Sequence, residues 1–334
     1  MKKKVVGSSK RRAVVVTLSL AAALGAMTPL GALAQGALPK AITFVVPQAA
    51  GGSNDAFARA LAARLPKFID SSVVVENRTG AGGNIGSAWV AKSAPRDGSV
   101  WLVTVNSTQT VNPILYSKPG FDPIADFEPV SGIAVVPHVL LANNNVPVNT
   151  MAELVAAARK EPGKYSFGTA GNGTFSHLLM EQMKHSQKVQ LTHVPYKGVA
   201  PALTDLIGGQ TSYVIATLPA GLPFVRSGQL KPISVLSLGR LSVLPNVPIA
   251  NDAVPGMVGE LWVALYAPKG VSKEAVTQMR EAVAKVQALP EMDTFVAAQG
   301  ATQLKIGPAE LAALTRAESD KWAPIVKESG MKVD

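Results

Sequence analysis

Three glycine-rich loops and four histidines are the places where this chain could do chemistry. Ala50-Gly51-Gly52-Ser53 follows a β-branched run and precedes a helical pattern, and Gly168 to Thr174 (GTAGNGT) has the same setting. A helix N-terminus presents unpaired N–H groups and a partial positive charge, so each loop offers an anion site. Tight turns that need glycine for geometry alone give the same sequence. Two such loops in similar strand–loop–helix contexts, in different halves of the chain, point to one shared cleft. The middle loop, Gly80-Ala81-Gly82-Gly83-Asn84-Ile85-Gly86, resembles a dinucleotide fingerprint. Its spacing fails, because Gly80 and Gly82 require a third glycine where Ile85 stands, and no Gly-Lys-Ser/Thr follows. Nucleotide binding is not expected.

Catalytic constellations are poor. The chain has neither G-x-S-x-G nor H-E-x-x-H. His138, His177, His185 and His193 lack ligand spacing: His177 and His185 are two helical turns apart, too far for one metal. No metal and no cofactor is expected. His177, just inside a helix start beside the third loop, either contacts a ligand or is a polar residue satisfied within a cap. Asp205, on a helix before Gly208-Gly209, is either near the cleft or solvated. Ser176 and His177 form the one adjacent nucleophile–base pair, but helix neighbours point about 100° apart, which disfavours a hydrolase. With no cysteine there is no thiol nucleophile, disulfide, iron–sulfur cluster, Cys-ligated zinc or lipid-carrying N-terminal Cys.

The elements that must hold these loops read as strands alternating with helices. Ile42 to Val46 is a short β-branched strand stopped by Pro47. A helix follows with Phe57, Leu61, Leu65 and Phe68 on one face, capped by Ser53 or Asn54, with Asp55 suiting its positive end. Ser72–Val75, Val100–Val105, Tyr165–Phe167, Gln190–Val194, Ser212–Ala216 and Leu261–Tyr266 read as strands. Asn84–Ser93, Met151–Lys160 (capped by Thr150), a segment from Phe175 and Pro201–Ile207 read as helices. Residues 122–148 are rich in proline and strand formers. Two long helices, about Ser272–Ala288 and Pro308–Val326, close the chain. The alternation predicts an α/β fold with mainly parallel sheets and no fixed-period repeat.

The chain has 334 residues, 47% hydrophobic and 16% charged, which describes a folded protein of about two domains. Six positive charges (Lys2, Lys3, Lys4, Lys10, Arg11, Arg12) precede an apolar run, Ala13 to Met27, and small residues ending Ala32-Leu33-Ala34. That is the pattern of a secretory signal peptide over residues 1–34, too short to span a membrane comfortably. Arg11-Arg12 raises twin-arginine export, but Ala13 and Val14 lack the usual Phe-Leu, so the general secretory route is preferred. Removing these six charges from the formal +10 leaves +4. With no later basic run and 5% scattered aromatics, no nucleic-acid partner is expected. A periplasmic location and a soluble monomer are expected.

Six blocks, in order, are similar to a known family. They are VVPQAAGGSNDAFARALA (45–62), VVVENRTGAGGNIGSAWVAKSAPRDGSVWL (73–102), DFEPVSGIAVVPHVLLAN (126–143), GKYSFGTAGNGTFSHL (163–178), HVPYKGVAPALTDLIGGQ (193–210) and ALYAPKGV (264–271). From Ile42 to its C-terminus the chain resembles the periplasmic solute-binding proteins of tripartite tricarboxylate transporters, the Bug or TctC-like family. The resemblance implies a two-lobed venus-flytrap fold of the type II kind, with a hinge: lobe 1 over 38–140 plus 256–334, lobe 2 over 141–255. It implies a ligand carboxylate held mainly by backbone amides and water. The positions carried over are Ala49, Ala50, Gly51, Gly52 and Ser53, then Ser107 and Thr108. In the second lobe they are Thr169, Ala170, Gly171, Asn172, Gly173 and Thr174, with Tyr196, Asp205 and Thr217. The family usually has an aromatic and a proline where this chain has Gln48 and Ala49, so an aromatic wall is lost and an amide gained. Ser53 and Asn54 make the same rim polar. The expected ligand therefore carries extra polar groups or is bulkier than the small dicarboxylates.

The expected function is capture of a small organic carboxylate, dicarboxylate or aromatic acid, and its delivery to membrane transporter subunits, without catalysis. A ligand sensor signalling to a membrane partner is the alternative that the chain alone cannot separate; a secreted hydrolase is a distant third.

Overall fold

The computed structural model describes residue 1, residues 38–329, and residues 331 and 333. The signal segment expected over residues 1–34 lies, Met1 apart, outside the described residues. The elements below belong to one compact unit, Leu38–Asp334.

Strand β1 (Ala41–Val46) leads through a loop into helix α1 (Ser53–Ala62). Then come β2 (Ser72–Asn77), α2 (Asn84–Ser93), β3 (Val100–Val105), a π-helical turn (Ser107–Val111) and the short α3 (Asn112–Leu115). The long β4 (Phe127–Asn143) is followed by α4 (Met151–Lys160), β5 (Ser166–Thr169), α5 (Phe175–Gln187), β6 (Thr192–Pro195), α6 (Val199–Ile207), β7 (Tyr213–Thr217), α7 (Leu218–Arg226) and β8 (Leu230–Val235). After α8 (Ala250–Ala253) the chain forms β9 (Glu260–Pro268), α9 (Lys273–Gln287), α10 (Pro290–Ala298), β10 (Thr302–Gln303) and α11 (Pro308–Ser329). The expected α/β alternation is present.

The strands run in the order β2-β1-β3-β9-β4-β7-β5-β6, with β8 and β10 also paired to β4. The flanks are parallel, β1 with β2 and β3, and β5 with β6 and β7. The middle is antiparallel, β9 with β3 and β4, and β4 with β7 and β8. The expectation of mainly parallel sheets thus holds only at the flanks. The antiparallel partners of β4 (β7, β8 and β9) are all separated from it in sequence by helices, so strand–helix alternation, which suggests parallel crossovers, does not fix strand direction there.

β4 changes partners part-way. Phe127 to Pro137 pairs β9, and His138 to Ala142 pairs β7. Pro129 and Pro137 fall at a register shift and at the changeover, where a missing N–H costs little. Gly132 sits at the second register shift, and a Cβ there would lie 2.6 Å from the Leu304 carbonyl oxygen.

Thr150 caps α4 as expected, its hydroxyl accepting from the Glu153 N–H at 3.2 Å. The cap of α1 is Gly52, not Ser53 or Asn54; both of those side chains are engaged elsewhere. The close of the chain holds three helices rather than two. Residues 288–289 break the run, and Pro290 opens α10 at its first turn, where its missing N–H is harmless. One apolar cluster gathers around Phe44, Phe57, Trp101 and Val263, and another around Phe167, Phe175 and Tyr213. Helix α11 gives Leu311 to a third cluster, with Val45, Leu102 and Tyr266, and Trp322 and Val326 to the second.

Candidate ligand-binding site

In open α/β sheets, ligands bind outside the carboxyl ends of the strands. Here β1, β5 and β7 each end at a loop or cap that starts α1, α5 and α7, and β3 runs into the π-helical turn. The Ser53 hydroxyl, on the first residue of α1, donates to the Thr217 hydroxyl, on the cap of α7, at 2.8 Å. These residues are 164 positions apart in sequence, one on the helix that follows β1 and the other at the end of β7, strands on opposite flanks of the sheet. The contact brings two positive helix ends together.

On the first side the loop is fixed by amides. Gln48 Nε2 donates to Thr108 Oγ1 at 2.9 Å, Asn54 Nδ2 donates to Gln48 Oε1, and Asn77 Nδ2 donates to the Gln48 carbonyl at 3.0 Å. Thr108 in turn donates to the Gly82 carbonyl at 3.2 Å. The middle glycine loop therefore braces the first loop: a Cβ at Gly83, whose φ is +102°, would stand 2.7 Å from Gln48 Nε2. Asp55 is buried and accepts from the Gly51 N–H, Arg59 and Asn77 at 2.9–3.0 Å. Burial pushes its carboxyl up, but the Arg59, Gly51 and Asn77 hydrogen bonds outweigh this and hold it below the usual range. Ala49, Ala50 and Gly51 are exposed, while Ser107 and Thr108 are buried.

The second side is built from β5, α5 and the start of α6. The Tyr196 N–H donates to the Thr169 carbonyl at 3.1 Å, and the Gly198 N–H to the Ala170 carbonyl at 3.0 Å, so the start of α6 lies against the loop. Within the loop, the Thr174 hydroxyl donates to the Gly171 carbonyl at 2.7 Å, the Gly171 N–H to the Thr169 hydroxyl at 3.3 Å, and the Ala170 N–H to the Ser176 hydroxyl at 3.4 Å. Gly171 has φ +136° and Gly173 φ +70°, regions that side chains resist. Asn172 is exposed at the tip.

Tyr196 donates from its phenol to Asp205 at 2.8 Å; burial first, and then Asp205, push that phenol up to about 12. Asp205 is thus engaged by Tyr196. His177 accepts from the Gly173 N–H at 3.3 Å through Nδ1. His193, assigned no role in the sequence reading, lies 2.7 Å from the Thr169 hydroxyl through Nε2. A histidine on a strand two residues before the Pro-Tyr that meets the loop was the available signal. Asp55, which anchors the first loop, was legible only as a helix-start acid, and Asn77, its partner there, lay beyond the strand expected over Ser72–Val75.

No residue of the two loops is a lysine or arginine. The positive character comes from backbone N–H groups at the starts of α1, α5, α6 and α7, suited to a carboxylate. Among the described residues no group of histidines and acids could hold a metal ion, and no helix is long and apolar enough to cross a membrane.

This sheet, with glycine-rich loops at its strand ends, defines a periplasmic-binding-protein fold. The family described as "Tripartite tricarboxylate transporter family receptor" matches residues 57–331, and the chain belongs to it. It is a family of substrate-binding receptors, not of enzymes. Protein BugT of Bordetella pertussis is 33% identical over 93% of this chain and 95% of its own length. A protein of R. palustris solved with adipate is 34% identical, with a TM-score of 0.82 over 87% of this chain and 98% of that one. MatC of Rhodopseudomonas palustris, solved with bound malate, is 30% identical, with a TM-score of 0.79 over 86% of this chain and 98% of that one.

Proposed function

We propose that this protein is an extracytoplasmic receptor that captures a small organic carboxylate and delivers it to a tripartite membrane transporter. The ligand lies between the Gln48–Asn54 loop and the Thr169–Thr174 loop, with Ser107, Thr108, Tyr196 and Thr217 around it. Lobe 1 covers 38–140 plus 256–334, and lobe 2 covers 141–255. The observation that carries the reading is the Ser53–Thr217 hydrogen bond, which joins helix starts from opposite flanks of the sheet. Relatives solved with adipate and malate favour a dicarboxylate. The polar rim of Gln48, Ser53 and Asn54 favours one with additional polar groups. Residues 1–34 act as the export signal, so exported protein begins at Gln35 by N-terminal sequencing.

The test is native mass spectrometry of gently purified mature protein, then ligand release and identification, backed by calorimetry with malate, adipate, hydroxylated acids and aromatic acids. A released organic acid, or micromolar binding of one panel member, is expected. Absence of binding across the panel overturns the carboxylate reading. Plain dicarboxylates binding as tightly as any hydroxylated or aromatic acid overturns the inference from the rim.

A further inference from the structure

Behind the Gly168–Thr174 loop, three rings stack. Phe167 of β5 lies on His193 of β6 at 4.9 Å between centroids, with planes 21° apart. His193 lies on His177 of α5 at 3.9 Å and 13°. The two imidazoles grip the loop at both ends. His193 Nε2 is 2.7 Å from the Thr169 hydroxyl, which itself accepts from the Gly171 N–H, and His177 Nδ1 accepts from the Gly173 N–H. An accepting Nδ1 places the proton of a neutral His177 on Nε2, and that nitrogen faces Glu181 at 3.6 Å. Phe167, Thr169, His177 and Gly173 are all buried.

We propose that His177 and His193 are positioning residues, a stacked clamp that holds the Gly168–Thr174 loop in its ligand-binding shape while both rings are neutral and lets go when His177 takes up a proton. The proposal rests on the reading of that loop as half of the carboxylate site. The proton would enter at Nδ1, the atom that accepts from Gly173, so two donors would then face each other and the loop hydrogen bond would be lost. The charged and titratable groups facing the pair are Glu181 and Lys184 from α5; Lys184 also sits over Phe167, 5.7 Å from its centroid. From α3's end, the Tyr116 hydroxyl approaches the Gly173 position. Stacking at 3.9 Å disfavours charge on both rings. His193 agrees: burial first, then the neighbouring His177, lower it to about 4. A proton on His177 alone would therefore suffice to break the loop hydrogen bond, with His193 neutral.

The first measurement is the imidazole tautomer, by long-range nitrogen–proton NMR at pH 7.5. His177 is expected with its proton on Nε2; a proton on Nδ1 overturns the clamp. The second is amide hydrogen exchange at Gly171 and Gly173 together with calorimetry using adipate and malate as probes. His177→Phe keeps a stacking ring without an acceptor, and His177→Asn keeps an acceptor where Nδ1 lies. His177→Phe is expected to speed exchange at Gly173 at least tenfold and weaken binding at least tenfold. His177→Asn is expected to restore both to within about threefold and to remove the acid-side loss of protection at Gly173 that the proposal expects of the parent. Unchanged exchange in His177→Phe, or His177→Asn as impaired as His177→Phe, overturns the proposal. If His177→Phe does not melt cooperatively, the parent tautomer and the His177→Asn pH profile decide. If the parent binds neither probe, the carboxylate reading suffers, while tautomer and exchange still judge the clamp.

Discussion

Gly171 has φ +136°, and a Cβ there would stand 3.0 Å from the carbonyl oxygen of Tyr196, in the turn that meets the loop. A branched side chain would force both the backbone and the loop's approach to α6. Gly171→Val is therefore expected to weaken carboxylate binding more than Ser53→Ala, which removes one hydroxyl–hydroxyl bond worth about 1 kcal/mol, or about fivefold. Calorimetry on both variants checks the order; the reverse would place the affinity in side chains rather than backbone. His138 offers a second test. It is fully buried, its Nδ1 donates to the Gly259 carbonyl at 2.8 Å, and burial lowers it to about 4. Its folded value lies below the unfolded 6.5, so its neutral form stabilises the fold above pH 6.5. That contribution is lost as pH falls from 6.5 to about 4, up to about 3 kcal/mol. Half-buried His193 adds a smaller share of the same sign, and Glu318, raised by burial, opposes it. Urea midpoints at pH 7 and 5 should differ in the parent and differ less in His138→Gln. The glycines of GTAGNGT were legible because backbone geometry restricts residue type locally. The Ser53–Thr217 and His177–His193 pairings were not, because nothing local encodes which distant hydroxyl or ring closes the contact.

Among the elements, β4 carries most of the organisation that the chain's local pattern hides. Its apolar, proline-spaced sequence reads as strand, yet one 17-residue strand serves two sets of partners, with the exchange at Pro137 and His138. Periodicity reports which face is buried, not which strand lies alongside, so the parallel flanks were readable from strand–helix alternation and the antiparallel middle was not. The end of α9 near Ala288 was readable, but α10, the nine-residue helix Pro290–Ala298 opened by Pro290, was missed. Gly132 is where β4 depends most on a single residue. A methyl there would press on the Leu304 carbonyl at 2.6 Å and on the Leu304 side chain. Backbone on one side cannot yield as a flexible side chain would, so Gly132→Ala is expected to cost about 1–3 kcal/mol. A lowered urea midpoint with unchanged slope is the signature; an unchanged midpoint would mean that β10 and its flanking loop move aside freely.

For the whole molecule, capture requires that a ligand touching both loops favour one arrangement of the two sides over others, and it can do so only through its differential contacts. Helix α11 is placed to register such a change, since Leu311 packs with Val45 and Tyr266 while Trp322 packs with Phe167 and Phe175. Trp322 meets Phe175 edge-on at 5.1 Å, and Phe175 meets His138 edge-on at 5.5 Å. Phe175 is the first residue of α5, directly after the Thr169–Thr174 loop, and His138 stands at the β4 changeover. A carboxylate drawn onto the loop thus acts one residue away from an aromatic chain reaching both the changeover and the C-terminal helix. Ligand is expected to alter tryptophan emission, and Trp322→Phe, which keeps an aromatic ring in the cluster, is expected to abolish most of that change while leaving adipate or malate affinity within about threefold. The chain's other tryptophans, Trp89, Trp101 and Trp262, serve as the internal control. An emission change that survives Trp322→Phe would mean that ligand is felt through the β2–β1–β3 flank or β9 instead. At a hundred times the dissociation constant the same ligand should add about 2.7 kcal/mol to unfolding, so a thermal shift without any change in emission would separate binding from rearrangement around α11.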